Sequence, residues 1–327
     1  MNVTPTLHPI TLAAAQEARG RLAGIAIRTP LVQLHLPDLP FELWLKLENL
    51  QPIGSFKIRG AANVMMSADA STRARGVYTA SAGNMAQGVA WCARALGVPC
   101  AVIMPDTAPQ TKSDAVQRLG GRVIKVPFDA WWQTMQDRAY PGMDGVFVHP
   151  FADERVMAGN GTIALEIFEE LADADTILVP FGGGGLACGV AAAARAVNSA
   201  VNVYACEVET SAPLRASYEQ GSAATVNGRP SFVDGMGGKS VFPEIWPLAQ
   251  QLLAGTRVMS VAQIASAVKL LAERARVVAE GAGAAPVAAA VDGAAAGTLN
   301  GKRVVCIVSG GNINSDTLAT ILKGEVP

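Results

Sequence analysis

TILVPFGGGGLACGVAAAARAV, residues 176–197, carries the architecture in miniature. Five apolar or β-prone residues (TILVP) run into four glycines, and an alanine-rich segment follows. A short, continuously apolar strand is the kind that is buried on both faces of a parallel sheet. Glycines between such a strand and a helix let backbone N–H groups approach an anion at the helix N-terminus. No Lys-Ser or Lys-Thr follows the glycines, and their spacing does not fit G-x-G-x-x-G, so neither a P-loop nor a dinucleotide fingerprint is read here.

The same grammar repeats outward. Residues 76–80 (GVYTA) read as a strand, 81–84 (SAGN) as a loop and 85–96 as a helix. Residues 100–104 (CAVIM) form a second strand, then PDTAPQ and a helix over 111–119. Further strands are expected over 122–126, 145–149 and 201–207, and a helix over 154–171. A last strand, 303–308, enters SGGN at 309–312 and then a helix. Strands alternating with helices predict an α/β chain with open, mostly parallel sheets flanked by helices. In such sheets ligands gather at the carboxyl ends of the strands. The Ala/Gly-rich stretch 282–296 reads as packed helix and loop. No segment reads as a flexible tether, so two domains would be crossed by the chain more than once.

Composition narrows the classes. The chain of 327 residues is half hydrophobic and balances 26 basic against 27 acidic residues, for a net charge of -1. That excludes disorder and gives no electrostatic footprint for nucleic acid or an anionic membrane. Cys92, Cys100, Cys188, Cys206 and Cys306 are scattered without a CxxC pair, which suits a reducing compartment better than a disulfide frame or a zinc site. MNVTPTLHPI has no basic segment followed by an apolar one, and no apolar run suits a membrane helix. A cytoplasmic protein is expected.

Four segments hold candidate chemistry. In LWLKLENLQPIGSFKIRGA (43–61), Lys57 follows an aromatic in apolar surroundings, where desolvation would favour the neutral, nucleophilic amine. Read alone, it is the ordinary surface lysine of a helix start. Ser81-Ala82-Gly83-Asn84 and Gly182–Gly185 offer backbone N–H groups at helix starts, or plain turns. Ser309 at a strand end would meet a ligand ring nitrogen or cap the next helix.

Taken together, KLEN.QP.GSFKIRGA, SAGN.AQG, MPDTAPQ.K, GGGGL and SGGN resemble the serine/threonine dehydratase family of fold-type II (tryptophan synthase β-like) pyridoxal-phosphate enzymes, from about residue 27 to 312. The resemblance implies two open sheets, a large domain from residues 1–52 and 152–327, and a small mobile domain over 53–151. It implies Lys57 as the Schiff-base lysine and α-proton shuttle. It places Phe56 on the cofactor ring, Asn84 at the ring 3-oxygen, Gly182, Gly183, Gly184, Gly185 and Leu186 around the phosphate, and Ser309 at the ring nitrogen. Glu280 would orient the cofactor, and Ser81, Ala82, Gly83, Asn84 and Met85 would face the substrate carboxylate. The implied activity is α,β-elimination of water from a β-hydroxy-α-amino acid of the threonine or serine type, with hydrolysis to a 2-oxo acid and ammonia, in a homodimer or higher homo-oligomer.

The sequence departs from the family pattern in three places. Met85 replaces a histidine. Ala82 stands where racemases of the group use a serine, which disfavours racemisation. The resemblance implies a monovalent or divalent cation, but Pro213 follows Glu207 where a second carboxylate is expected, and no metal ligand is assigned. In an aromatic-poor chain, Trp131-Trp132 is unusual. The pair reads either as packing or, through Trp132, as an aromatic wall for a bulky β-substituent such as that of phenylserine. Asp234-Gly235, Lys112 and His149 take structural readings. A β-replacement enzyme of cysteine-synthase type, a nucleotide-dependent oxidoreductase and a catalytically silent amino-acid sensor of the same fold remain the rivals.

Overall fold

The computed structural model describes residues 6–299 and 301–327. The reading of the first ten residues falls partly on residues 1–5, which lie outside the described residues. The strands in chain order are β1 (Leu31–Gln33), β2 (Glu42–Lys46), β3 (Val77–Ala80), β4 (Cys100–Pro105), β5 (Arg122–Val126), β6 (Val146–Phe147), β7 (Thr176–Pro180), β8 (Asn202–Val208), β9 (Gly255–Met259) and β10 (Arg303–Ile307). They form two sheets. The larger runs β1-β2-β10-β7-β8-β9, with only the β1–β2 pair antiparallel. The smaller, β5-β4-β3-β6, is parallel throughout.

All five residues of β7 are buried, as a central parallel strand requires. Separate apolar cores pad the two faces of the larger sheet. On one face lies the helix Glu154–Glu170, almost wholly buried after its Asp153 cap, with the helix Gly185–Val197 against it. On the other lies the alanine-rich helix Gly281–Ala295, with Pro286 inside it. The helices Lys57–Ser67 and Asn84–Leu96 share a core against the smaller sheet.

The expected strand over 145–149 shrinks to β6. Val148 N–H still donates to Tyr78 O at 2.8 Å, but the Thr79 hydroxyl, not a backbone N–H, takes the Val148 carbonyl. Pro150 then turns the chain. Both β1 and β9 escaped the sequence reading. β1 is three residues of antiparallel edge, and β9 is half-buried along most of its length, so neither carries the continuous apolar signal of a central strand. Cys92, Cys188, Cys206 and Cys306 are buried and Cys100 is half-buried; all are free thiols, and burial pushes Cys92 and Cys188 up to about 12. No helix among the described residues is long and apolar enough to cross a membrane.

Candidate active site

The carboxyl ends of β3, β7 and β10 open on one region, where three helices begin. The GSFK segment is pinned to the SGGN loop. Ser55 and Gly310 form an antiparallel bridge, Phe56 N–H donates to Ser309 O at 3.0 Å, and Gly311 N–H to Gly54 O at 2.9 Å. Lys57 therefore opens its helix beside the end of β10. Its Nζ donates to Pro150 O at 2.7 Å, stands 5.2 Å from the Phe56 ring centroid, and makes no ion pair among the described residues. Lost hydration outweighs the opposing pull of Glu280 and lowers the Lys57 amine from 10.5 to about 8.

Across from the lysine is a polar relay. Asn84 Nδ2 donates to Glu280 Oε1 at 2.8 Å, and Asn312 Nδ2 donates to Asn84 Oδ1 at 2.7 Å and to Ile53 O at 3.0 Å. These bonds fix which end of the Asn84 amide carries its oxygen. Burial raises the Glu280 carboxyl to about 7, the neighbouring Asp234 adding to the shift and the Asn84 bond opposing it.

The glycine loop follows β7. Gly184 has φ +87, a left-handed conformation suited to glycine, and a Cβ at Gly183 would overlap the Phe151 ring. The helix beginning at Gly185 has no side-chain cap, so its first N–H groups await an acceptor. Helix Asn84–Leu96, starting after Ser81-Ala82-Gly83, also lacks a side-chain cap.

Lys57, Phe56, Ser309, Glu280 and Asn84 thus come together around the GSFK–SGGN pairing and the relay. Gly182–Gly185 lie at the end of β7 beside Phe151, the neighbour of Pro150. Met85 keeps its side chain out of the site. Its side chain is 1% exposed in the core with Ile53 and Val89, so only its backbone N–H can serve a ligand. Leu186 likewise sends its side chain into the core. Glu207 is committed to structure: it accepts the N–H groups of Leu214 and Arg215 at 2.7 and 2.9 Å and the Thr256 hydroxyl at 2.8 Å. No cluster of three or more potential metal-ligating side chains occurs among the described residues.

Trp132 lies one ring farther out. It meets Phe242 edge-on at 5.4 Å, Phe242 meets Phe151 at 4.8 Å, and Phe151 meets His149 at 4.7 Å. His149 Nδ1 accepts from Phe151 and Ala152 N–H, while Nε2 is buried without a partner; the turn histidine is half satisfied. Lys112 lies at the surface and pairs there with Asp234 at 2.7 Å. Sequence reasoning missed Asn312 as a partner of Asn84, and it missed Phe151 and Phe242. Asn312 stood in a motif already singled out, but the two phenylalanines carried no local signal.

The sequence pattern of the family described as pyridoxal-phosphate dependent enzyme matches residues 22–310. An L-threonine ammonia-lyase of Thermotoga maritima is 39% identical over 323 residues, covering 97% of this chain and 79% of that protein. A catabolic L-threonine dehydratase of Staphylococcus aureus is 34% identical, over 97% of this chain and 93% of that one. The structure of maize serine racemase superposes with a TM-score of 0.88 at 30% identity, covering 97% and 98% of the two chains. The family match removes the oxidoreductase rival.

Proposed function

The chain belongs to the pyridoxal-phosphate dependent enzyme family, and from that premise we propose that it is a dehydratase of β-hydroxy-α-amino acids of the threonine or serine type. The net change is loss of the α-proton and β-hydroxyl as water, followed by gain of water and loss of ammonia, leaving a 2-oxo acid. The observation that carries this reading is Lys57: a half-buried lysine whose amine has lost hydration and has no ion pair, near an uncapped helix N-terminus in a glycine loop.

The donor set fits the cofactor. The free N–H groups of Gly182 to Leu186 suit its phosphate, and Lys57 suits its aldehyde. When bound, pyridoxal phosphate supplies an aldehyde that condenses with amines and a ring that draws electrons from the α-carbon. In this reading Lys57 Nζ takes the α-proton, as an amine titrating near 8 can at neutral pH. Asn84, oriented by Asn312, would donate to the ring oxygen, and Phe56 would pack on the ring. Ser309, a neutral hydroxyl, would hold the ring nitrogen without forcing a proton onto it, which would favour prompt elimination. The Ser81 N–H is given to Ile103 O at 3.1 Å and the Gly83 N–H to the Ser81 hydroxyl at 3.3 Å, so the N–H groups of Asn84 and Met85 at the uncapped helix start would hold the substrate carboxylate. Ala82 offers no acid on the opposite face, which supports elimination over racemisation.

The finer substrate assignment is phenylserine. The row Phe151–Phe242–Trp132 supports it, as an apolar, rigid wall next to the lysine's Pro150 contact. The unit carrying β3 to β6 closes over substrate, with the Lys112–Asp234 pair and Arg138–Glu244 at 3.4 Å across its seam. A cytoplasmic homodimer completes the reading, supported by unpaired cysteines and by exposed Leu50 and Val278 beside the Asn49–Val278 hydrogen bond. The test is an ammonia-release screen over threonine, serine and phenylserine, with O-acetylserine plus sulfide alongside. Release with a higher kcat/KM for phenylserine is expected. A clear preference for serine removes the phenylserine assignment, and thioether or thiol formation without ammonia release removes the dehydratase.

A further inference from the structure

Two residues beyond Lys57, the same helix carries Arg59, which is 2% exposed. Its guanidinium is gripped from two sides. Nε and Nη2 donate to Glu48 at 2.8 Å each, and Nη1 and Nη2 donate to Glu166 at 2.6 and 2.8 Å. Lys46 Nζ completes the set, 2.6 Å from Glu166 and 2.6 Å from Thr29 O. Two cations and two carboxylates make a neutral, buried quartet. None of its members has a part in the chemistry above. Stability alone explains it weakly, because a buried ion pair often does no better than apolar packing. What such a network supplies is one geometry, since each fork accepts its partner in a single orientation.

That geometry reaches both halves of the site. Glu166 lies on the helix Glu154–Glu170, and Asn160 of that helix donates to Gly185 O at 3.1 Å, at the glycine loop. The helices touch without spacers: a Cβ at Gly159 would overlap Arg59 O, and one at Gly189 would overlap Met157 O. The helix that starts at Lys57, the helix that starts at Gly185 and the helix between them therefore form one locked block.

We infer that Arg59, held by Glu48 and Glu166, is a positioning residue: it bolts the first turn of the Lys57 helix to the helix that also holds the glycine loop, and so sets where Lys57 Nζ stands. The inference rests on the proposed function only in taking Lys57 as the reacting amine. Its test uses the protein without cofactor first. Competitive acetylation followed by peptide mass spectrometry reads the pH at which Lys57 reacts. The variants are Arg59→Met/Glu48→Gln, which keeps the cluster neutral, Arg59→Lys, which loses the double fork, and Ile264→Ala, a cut in the distant core of the helix Val261–Leu270. The double variant should move the Lys57 titration toward an ordinary lysine by about one unit, a tenfold loss of neutral amine at fixed pH. In the holoenzyme it should lower kcat about tenfold with little change in KM, whereas Ile264→Ala at a similar Tm loss should leave the titration unmoved, and Arg59→Lys should fall between. An unmoved titration in the double variant, or an equal shift in Ile264→Ala, overturns the inference. If the double variant does not fold, Arg59→Lys is judged by the same two criteria. Turnover surviving in Lys57→Ala would instead break the functional reading and leave the titration result standing.

Discussion

Lys46 and Lys57 are eleven residues apart and both lose water to the protein, but the protein treats them oppositely. Lys46 is fully buried and fully answered, with Glu166 and a backbone carbonyl each at 2.6 Å. Lys57 has one carbonyl, an aromatic face and no carboxylate within ion-pair distance. A buried cation with partners is structure; a half-buried, desolvated cation without them is held ready to give up its proton. The difference assigns the two residues to different jobs before any cofactor is considered.

The largest effect should come from removing the unanswered amine. Lys57→Ala should lower ammonia release by more than about 10³-fold while the Tm stays close to that of the parent. Removing the answered one should do the reverse. Lys46→Met leaves two carboxylates facing Arg59 alone and should cost about 3 kcal/mol in chemical denaturation; a cost below about 1 kcal/mol would erase the contrast. A smaller effect is expected in the pH dependence of the cofactor-free protein. Lys57 titrates near 8 when folded and 10.5 when unfolded, so its contribution to stability is present above 10.5 and is lost as pH falls through about 8. Glu280 titrates near 7 when folded and 4.5 when unfolded, so its contribution is present below 4.5 and is lost as pH rises through about 7. Together they place a shallow stability minimum between pH 7 and 8. Denaturation midpoints across pH should show it, and Lys57→Met should remove its alkaline wall. The smallest effect is that of Asn312→Ala. It frees the Asn84 amide to turn and should cut kcat/KM several-fold, about the value of one hydrogen bond.

Much of this was legible because glycine and short apolar runs are local signals. The TILVP strand, its glycine loop and the SGGN end could be read because each needs particular residue types next to one another. Lys57 was singled out by its neighbours Ser55 and Phe56. What stayed hidden depends on partners far along the chain. Asn84 and Asn312 are 228 positions apart, and Arg59 and Glu166 are 107 apart. Nothing in Arg59's own surroundings says that two carboxylates will meet it. The burial of the Met85 side chain against Ile53 and Val89 was hidden for the same reason, because those partners belong to the packing of the helix rather than to the binding loop. The edge strands β1 and β9 lacked the continuous apolar run that a buried central strand displays.

The contrast between the two lysines meets its most direct test in borohydride reduction of the holoenzyme followed by peptide mapping. The account predicts one phosphopyridoxyl group, on the peptide that carries Lys57, and an unmodified Lys46. A label on Lys46 or any other lysine, or full activity with Lys57 unlabelled and the cofactor bound, would contradict it.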